Sequence, residues 1–182
     1  MQVIGTSQFV GRLQAHIQVP DSTFIYAIFI LLIYTMSAAF ATAVWAVDIR
    51  VNAGGNAYTD GASNVWSADT GFNTGRISTA GSGVAITGTT DDVLYQVQRF
   101  DSAAAPDLIY SFAVPNGDYT VKLHFAENYS GVFSVGARVF GVQMEGATVI
   151  SNLDIYGTVG ANVALVRSVP VTVADGQMDI HF

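Results

Sequence analysis

Beyond residue 46, apolar and polar positions alternate with a period of two in run after run. Val47, Ile49 and Val51 alternate with Asp48, Arg50 and Asn52; Tyr119, Val121, Leu123 and Phe125 alternate with Thr120, Lys122 and His124. Phe140, Val142 and Met144 alternate with Val139, Gly141 and Gln143, and Met178, Ile180 and Phe182 with Gln177, Asp179 and His181. Alternation of this kind turns one face of an extended chain to a core and the other to water, so each run predicts a strand. Turn formers separate the runs: Pro115-Asn116-Gly117-Asp118 between 108–114 and 119–127, Glu145-Gly146 between 140–144 and 148–153, and Ala174-Asp175-Gly176 between 163–173 and 177–182. Each of these three pairs predicts a hairpin.

Many short strands at this spacing predict an all-β fold, an antiparallel β-sandwich. Pro170 falls inside one predicted strand and cannot donate to a ladder, which places that strand at an edge or at a bulge. The stretch 56–90 is rich in Gly, Ser, Thr, Ala and Asn with poor periodicity, and reads as long loops with one or two short strands. The stretch 91–100 fits either a strand or a short helix.

The first 46 residues follow another rule. From 24 to 47 there is no charged residue. As a helix this run would span roughly 36 Å, enough to cross a bilayer. It then gives way to small residues, with Ala41-Thr42-Ala43 and Val44-Trp45-Ala46 as two small-x-small cleavage sites. This reads as one hydrophobic helix, a secretory signal peptide or a membrane anchor, over 1–46, ahead of a domain over 47–182. The preceding segment is long for a signal and carries only Arg12 and Asp21, which is too little charge to orient an anchor. Export follows from either reading: a secreted, periplasmic or cell-surface protein, touching membrane only through this segment.

Composition sharpens the division. Mean hydropathy is +0.40, raised by the apolar run, while 13 of the 14 acidic residues and six of the seven basic ones lie in 47–182. With a formal net charge of −7 there is no basic footprint for phosphates, so the sequence predicts no nucleic-acid partner. There is no cysteine, hence no disulfide framework and no thiolate nucleophile. Sixteen of the 18 glycines lie beyond residue 46, favouring turns over long helices.

Catalytic constellations are missing. There is no Gly-x-Ser-x-Gly elbow, and Asn52-Ala53-Gly54-Gly55 lacks the pattern of a phosphate loop and reads as a tight turn. His124 and His181 fall on the polar faces of their strands and read as solvated, without metal-ligand spacing. The loop carboxylates Asp60, Asp69 and Asp91-Asp92 could supply oxygen to a structural calcium ion, but no calcium-loop spacing joins them. Asp91-Asp92 with Glu127 could form a glycosidase pair only if the fold brought them together. No enzyme and no cofactor is therefore expected.

Aromatic residues carry more information. Tyr119 and Phe125 share a face with Val121 and Leu123 and read as core, as do Phe112, Phe140 and Phe182. Tyr58, Trp66, Phe72, Phe100, Tyr129 and Phe133 fall in or beside predicted loops. Loop aromatics at one end of a sandwich can stack on the C–H faces of sugars, or they can plug the sandwich.

Seven ordered segments carry a resemblance. They are Val51-Asn52-Ala53-Gly54-Gly55, Trp66-Ser67-Ala68-Asp69, Leu94-Tyr95-Gln96-Val97-Gln98-Arg99-Phe100, Val114-Pro115-Asn116-Gly117-Asp118-Tyr119-Thr120-Val121, Leu123-His124-Phe125-Ala126-Glu127, Arg138-Val139-Phe140 and Asn152-Leu153-Asp154-Ile155. In that order, 47–182 resembles a malectin domain. The resemblance implies a jelly-roll type β-sandwich with a sugar pocket built by loops, and a glucose-containing oligosaccharide as partner. It implies that Phe100, where the family often has Tyr or Trp, and Tyr129 stack on sugar; their loop positions make Tyr58 and Trp66 further aromatic candidates. Asp154 is a sugar contact or a turn former. Asn52, Gly54 and Gly55 hold the turn of the binding loop.

Other family features are absent. Ser130 replaces a family aromatic, no aromatic lies in 75–88, and the segment with the pocket aspartate and a final apolar strand does not follow Phe182. The family pattern thus predicts a domain without its last strand, a piece of a longer multidomain protein. These departures keep a second reading open: a structural or protein-interaction sandwich, such as an adhesion module, with a degenerate sugar pocket.

Overall fold

The structure is a computed structural model that describes residues 2–6, 47–101 and 106–182. The apolar run 24–46 and both cleavage sites lie outside the described residues. Two sheets and a short ribbon form the architecture. One sheet has the order β11-β8-β1-β2-β4-β3, with β1 (Gln2–Thr6), β2 (Ile49–Asn52), β3 (Tyr58–Thr59), β4 (Val65–Ala68), β8 (Gly117–Phe125) and β11 (Leu165–Val173). The other has the order β10-β9-β12-β7, from β7 (Ile109–Ala113), β9 (Phe140–Met144), β10 (Ala147–Leu153) and β12 (Gln177–His181). β5 (Arg76–Thr79) pairs with β6 (Val97–Phe100). The β1 strand, from the segment ahead of residue 47, fills the place between β2 and β8.

The sandwich core forms where the alternating residues meet. Tyr119, Val121, Leu123 and Phe125 of β8 all point inward, and Val51, Leu165, Val171 and Val173 join them from neighbouring strands. Opposite them stand Tyr110, Val142, Met144, Met178 and Ile180 of the smaller sheet. Tyr119 is 7% exposed and donates its hydroxyl proton to the Pro115 carbonyl at 2.6 Å, which satisfies its one polar atom at the core boundary.

One of the three expected hairpins forms within a sheet. Glu145 and Gly146 both take positive φ, 50° and 73°, the two-residue turn that matches strand twist between β9 and β10. The other two are corrected: β7 lies in the smaller sheet and β8 in the larger, and likewise β12 and β11. Their turns are corners that carry the chain from one layer to the other. The pairing nevertheless runs through the corners without a slip. Leu165 faces Phe125 in the larger sheet, Val114 donates its N–H to the Gly176 carbonyl at the corner, and Gln177 faces Ala113 in the smaller sheet, all at one register. A single antiparallel ribbon thus folds over to supply both layers, which period-two patterning alone cannot reveal.

Pro170 lies on β11, an edge strand, as its missing N–H requires. The 56–90 stretch holds three short strands where one or two were expected, and β2 pairs with β4 in parallel. Residues 91–100 contain both alternatives, a short helix over Val93–Gln96 that runs directly into β6.

Candidate functional site

The Asn52-Ala53-Gly54-Gly55 turn follows β2. Asn52 is buried and donates from Nδ2 to the Asn56 carbonyl at 2.9 Å, while the Gly55 N–H returns to the Asn52 carbonyl at 2.9 Å. Gly54 has φ +83°, and a Cβ there would lie 2.6 Å from the carbonyl carbon of Gln98. Only glycine gives both the left-handed backbone and the close approach. The turn therefore packs directly on β6, the strand that ends in Phe100.

The same strand is anchored from its other side. Arg99 donates from Nε to Asp69 Oδ2 at 2.8 Å, with a second guanidinium nitrogen at 2.7 Å, and both side chains are under a tenth exposed. Tyr110 donates its hydroxyl to Asp69 Oδ1 at 2.8 Å; burial, then the Asp69 carboxylate, raise the hydroxyl's pKa and keep it protonated. Arg99 also donates to the Thr74 and Gly75 carbonyls and lies 3.4 Å above the Phe72 ring. One guanidinium thus ties the 69–75 loop to β6.

Beside β6 opens a cavity of about 440 Å³. Phe100, Phe125, Phe140, Phe182 and Leu108 give it an apolar wall, and Gln98, Asp101 and Arg138 bring polar groups to it. Arg138 reaches beyond the cavity: its guanidinium lies 3.0 Å from the Glu127 carboxylate and 6.0 Å from the centre of the Tyr129 ring. Glu127, 1% exposed, also accepts the Tyr129 N–H at 3.1 Å. Burial raises the pKa of Glu127, opposed by the Tyr129 N–H and the charge of Arg138. Phe100 and Tyr129, distant in sequence, are thus linked through Arg138, and Tyr129 is 54% exposed. A volume of this size, apolar with a few polar groups, suits a small polar-rimmed ligand.

The Malectin domain family model matches residues 47–182. The chain belongs to the malectin domain family. It is 31% identical to mouse malectin over 144 residues, covering 76% of this chain and 46% of malectin, and 30% identical to human malectin with the same coverage. It is 41% identical over 83 residues to Receptor-like protein 4 of Arabidopsis thaliana, covering 44% of this chain and 13% of that protein. Among solved structures, the plant receptor FER, in its complex with the peptide RALF23 and LLG2, aligns with a TM-score of 0.65 at 23% identity, over 75% of this chain and 44% of that one. A Bacteroides uniformis β-glucuronidase aligns with a TM-score of 0.63 at 24% identity, over 75% of this chain and 16% of the enzyme. Both structural likenesses speak for the fold alone. The chain spans less than half the length of the malectins it matches. Malectin-like domains are carbohydrate-binding or extracellular receptor domains.

Within this malectin domain the remaining predicted residues stand apart from the cavity. Trp66 is 3% exposed and belongs to a second, smaller core with Ile86, Leu94, Tyr95 and Ala126, so it offers no open face to a ring. Tyr58 packs against that core and donates its hydroxyl to Asp91 at 3.2 Å. Asp154 caps the helix Ile155–Val159: its carboxylate accepts the N–H groups of Gly157 at 2.7 Å and Gly136 at 2.6 Å, which hold its pKa below the usual range. Its side chain thus forms a turn.

The loop carboxylates have structural partners as well. Asp60 accepts from the N–H groups of Ala62 and Asn64, from Asn64 Nδ2 and from Trp66 Nε1. Asp91 accepts from Gly61 and Asp92 from Ile86. Among the described residues, no three His, Asp or Glu side chains gather to hold a metal.

His124 corrects the reading of a solvated strand residue. Trp66 meets its ring edge-on at 5.6 Å and the Tyr95 hydroxyl lies 2.7 Å from Nδ1. The larger sheet is covered on its second face by the 56–96 segment, so the polar side of β8 also meets a core. The Glu127–Arg138 pair was missed for a different reason: its 11-residue separation spans an irregular loop and leaves no periodic trace.

Proposed function

We propose that this chain is a non-catalytic, exported carbohydrate-binding module that takes a neutral, glucose-containing oligosaccharide against Phe100 and Tyr129. The cavity beside β6 carries this reading. Its phenylalanine wall suits the C–H face of a sugar ring, while Gln98, Asp101 and Arg138 can order hydroxyl groups. Phe100 contributes stacking without a hydroxyl. Membership of the malectin family supports the class of ligand. The test is calorimetric titration of the whole chain with glucose, galactose and xylose oligosaccharides. Binding that Phe100→Ala weakens supports the site; unchanged binding in that variant places it elsewhere. Export is tested at the N-terminus: exported protein that begins at Val44 or Val47 would lack β1, leaving β2 and β8 without it, whereas Met1 in a membrane fraction marks an anchor.

A second reading has its own observation. The loop after Tyr129 exposes apolar Val135 at 78% and Val139 at 48%, next to the exposed Tyr129 itself. Together with the likeness to Receptor-like protein 4, this supports a protein-interaction module. It moves ahead if the wild-type chain binds none of the saccharide panel.

A further inference from the structure

A second cleft of about 470 Å³ lies on the outer face of the smaller sheet. Its origin is local. The β9–β10 pairing slips twice, between Thr148 and Ile150 and again between Ile150 and Leu153, and Asn152 takes φ 55° within the strand. Each bulge bends the strand and turns side chains out of register. Opposite the bulges stands Gly141, where a Cβ would lie 3.3 Å from the Ile150 carbonyl oxygen, so the floor carries no side chain. A concave surface results where an outer sheet face would ordinarily be flat or convex.

The chemistry of the cleft is selective. Gln143, Thr148, Ser151, Asn152 and His181 line it, and none of these side chains hydrogen-bonds another described residue. The cleft contains no lysine or arginine and one carboxylate, Asp107, which argues against an anionic ligand. Amides, hydroxyls and an imidazole, beside the apolar Ile150, match a neutral chain of hydroxyl groups with C–H faces.

The cleft adjoins the first site: Val139, Phe140 and Phe182 line both cavities. We propose that the cleft is a second saccharide subsite, holding the continuation of a neutral glycan chain whose other units occupy the Phe100 cavity. This rests on the glycan-binding reading of that cavity, and it makes the module a reader of chain length.

The test uses the full chain and linear gluco-, galacto- and xylo-oligosaccharides from disaccharide to octasaccharide, with Ser151→Trp to fill the cleft and Gln143→Ala to remove an amide. Both positions are exposed, so folding should persist, checked by circular dichroism. Wild type should bind the octasaccharide about tenfold more tightly than the disaccharide, and Ser151→Trp should erase that gain while leaving the disaccharide unaffected. Gln143→Ala should reduce the gain in part. Short-chain binding with no gain from length, or a gain that survives both variants, overturns the second subsite and leaves the first intact. Octasaccharide binding lost in Ser151→Trp but untouched by Phe100→Ala would keep the cleft and remove the first site. No binding at any length overturns both.

Discussion

Arg138 stands between Glu127 and Tyr129, with its guanidinium 3.0 Å from the buried carboxylate and 6.0 Å from the exposed ring centre. The pair joins the wall of a cavity to an aromatic outside it. Removing Arg138 leaves a buried acceptor without its charged partner, so Arg138→Ala should destabilise the domain by about 1–3 kcal/mol. Because Arg138 is one-third exposed, the loss should fall short of that for a fully buried pair. Glu127→Gln should cost less, since the amide oxygen can still accept the Tyr129 N–H. Urea denaturation of both variants measures the difference.

The ligand site predicts a pattern across three residues. Tyr129→Ala and Phe100→Ala should each weaken saccharide binding by about 1–3 kcal/mol, the cost of removing an aromatic anchor. Phe100→Tyr should bind at least as tightly, by adding a hydroxyl at the cavity. Tyr119→Ala serves as the contrast: it should destabilise the fold by about 3–5 kcal/mol through lost packing and leave affinity unchanged in whatever fraction remains folded. Calorimetric titration alongside denaturation separates the two behaviours. A neutral ligand further predicts little change between low and high salt.

Two groups give the domain an acid-sensitive stability. Burial, assisted by the positive charge of Lys122, lowers the His124 pKa from 6.5 to about 4. The unfolded chain then binds more protons than the folded one between those values, so this contribution is full above pH 6.5 and is lost as pH falls toward 4. Asp60 acts at lower pH. Burial pushes its carboxyl up, but hydrogen bonds from Asn64, Trp66 and Ala62 together outweigh it and bring the pKa from 3.8 to about 2. Its contribution is present above pH 3.8 and is lost as pH falls through about 2. Denaturation midpoints measured across pH should decline in two stages. His124→Gln should flatten the first stage and Asp60→Asn the second.

How far the chain could be read in advance depended on the range of the signal. Alternation placed Tyr119, Val121, Leu123 and Phe125 in the core because it is a property of one strand. The turn at Glu145-Gly146 was legible for the same reason: both residues needed for the left-handed turn are adjacent. The corners at Pro115-Asn116-Gly117 and Asp175-Gly176 carry the same turn residues as hairpins, and only the sheet to which each arm belongs tells them apart. Trp66 and His124 were misread together, since the polar face of β8 faces water unless a distant segment covers it, and that segment has no periodicity. The Phe100 cavity was visible as a family motif, whereas Arg138 at its edge gains its role only from where an irregular loop returns.

The binding loop gives the last prediction, because it couples fold to site at one atom. Gly54→Ala adds a Cβ at φ +83° and within 2.6 Å of the Gln98 carbonyl carbon, so both the backbone angle and the contact oppose it. Backbone cannot swing aside as a flexible side chain can, and the strain must move the turn or β6. A strained alanine of this kind costs more than the roughly 1 kcal/mol that the same change gains at a compatible site. The displaced strand carries Arg99, fixed to Asp69, and Phe100, at the cavity. The variant should therefore lose stability by about 1–3 kcal/mol and also lose saccharide affinity in its folded fraction. Gly81→Ala is the control: its φ of +89° is equally unfavourable, yet no atom lies within 4 Å of the added Cβ and it is remote from β6's last residue. It should lower stability and leave affinity alone. Equal affinity in both variants would show that the turn supports the fold without positioning Phe100.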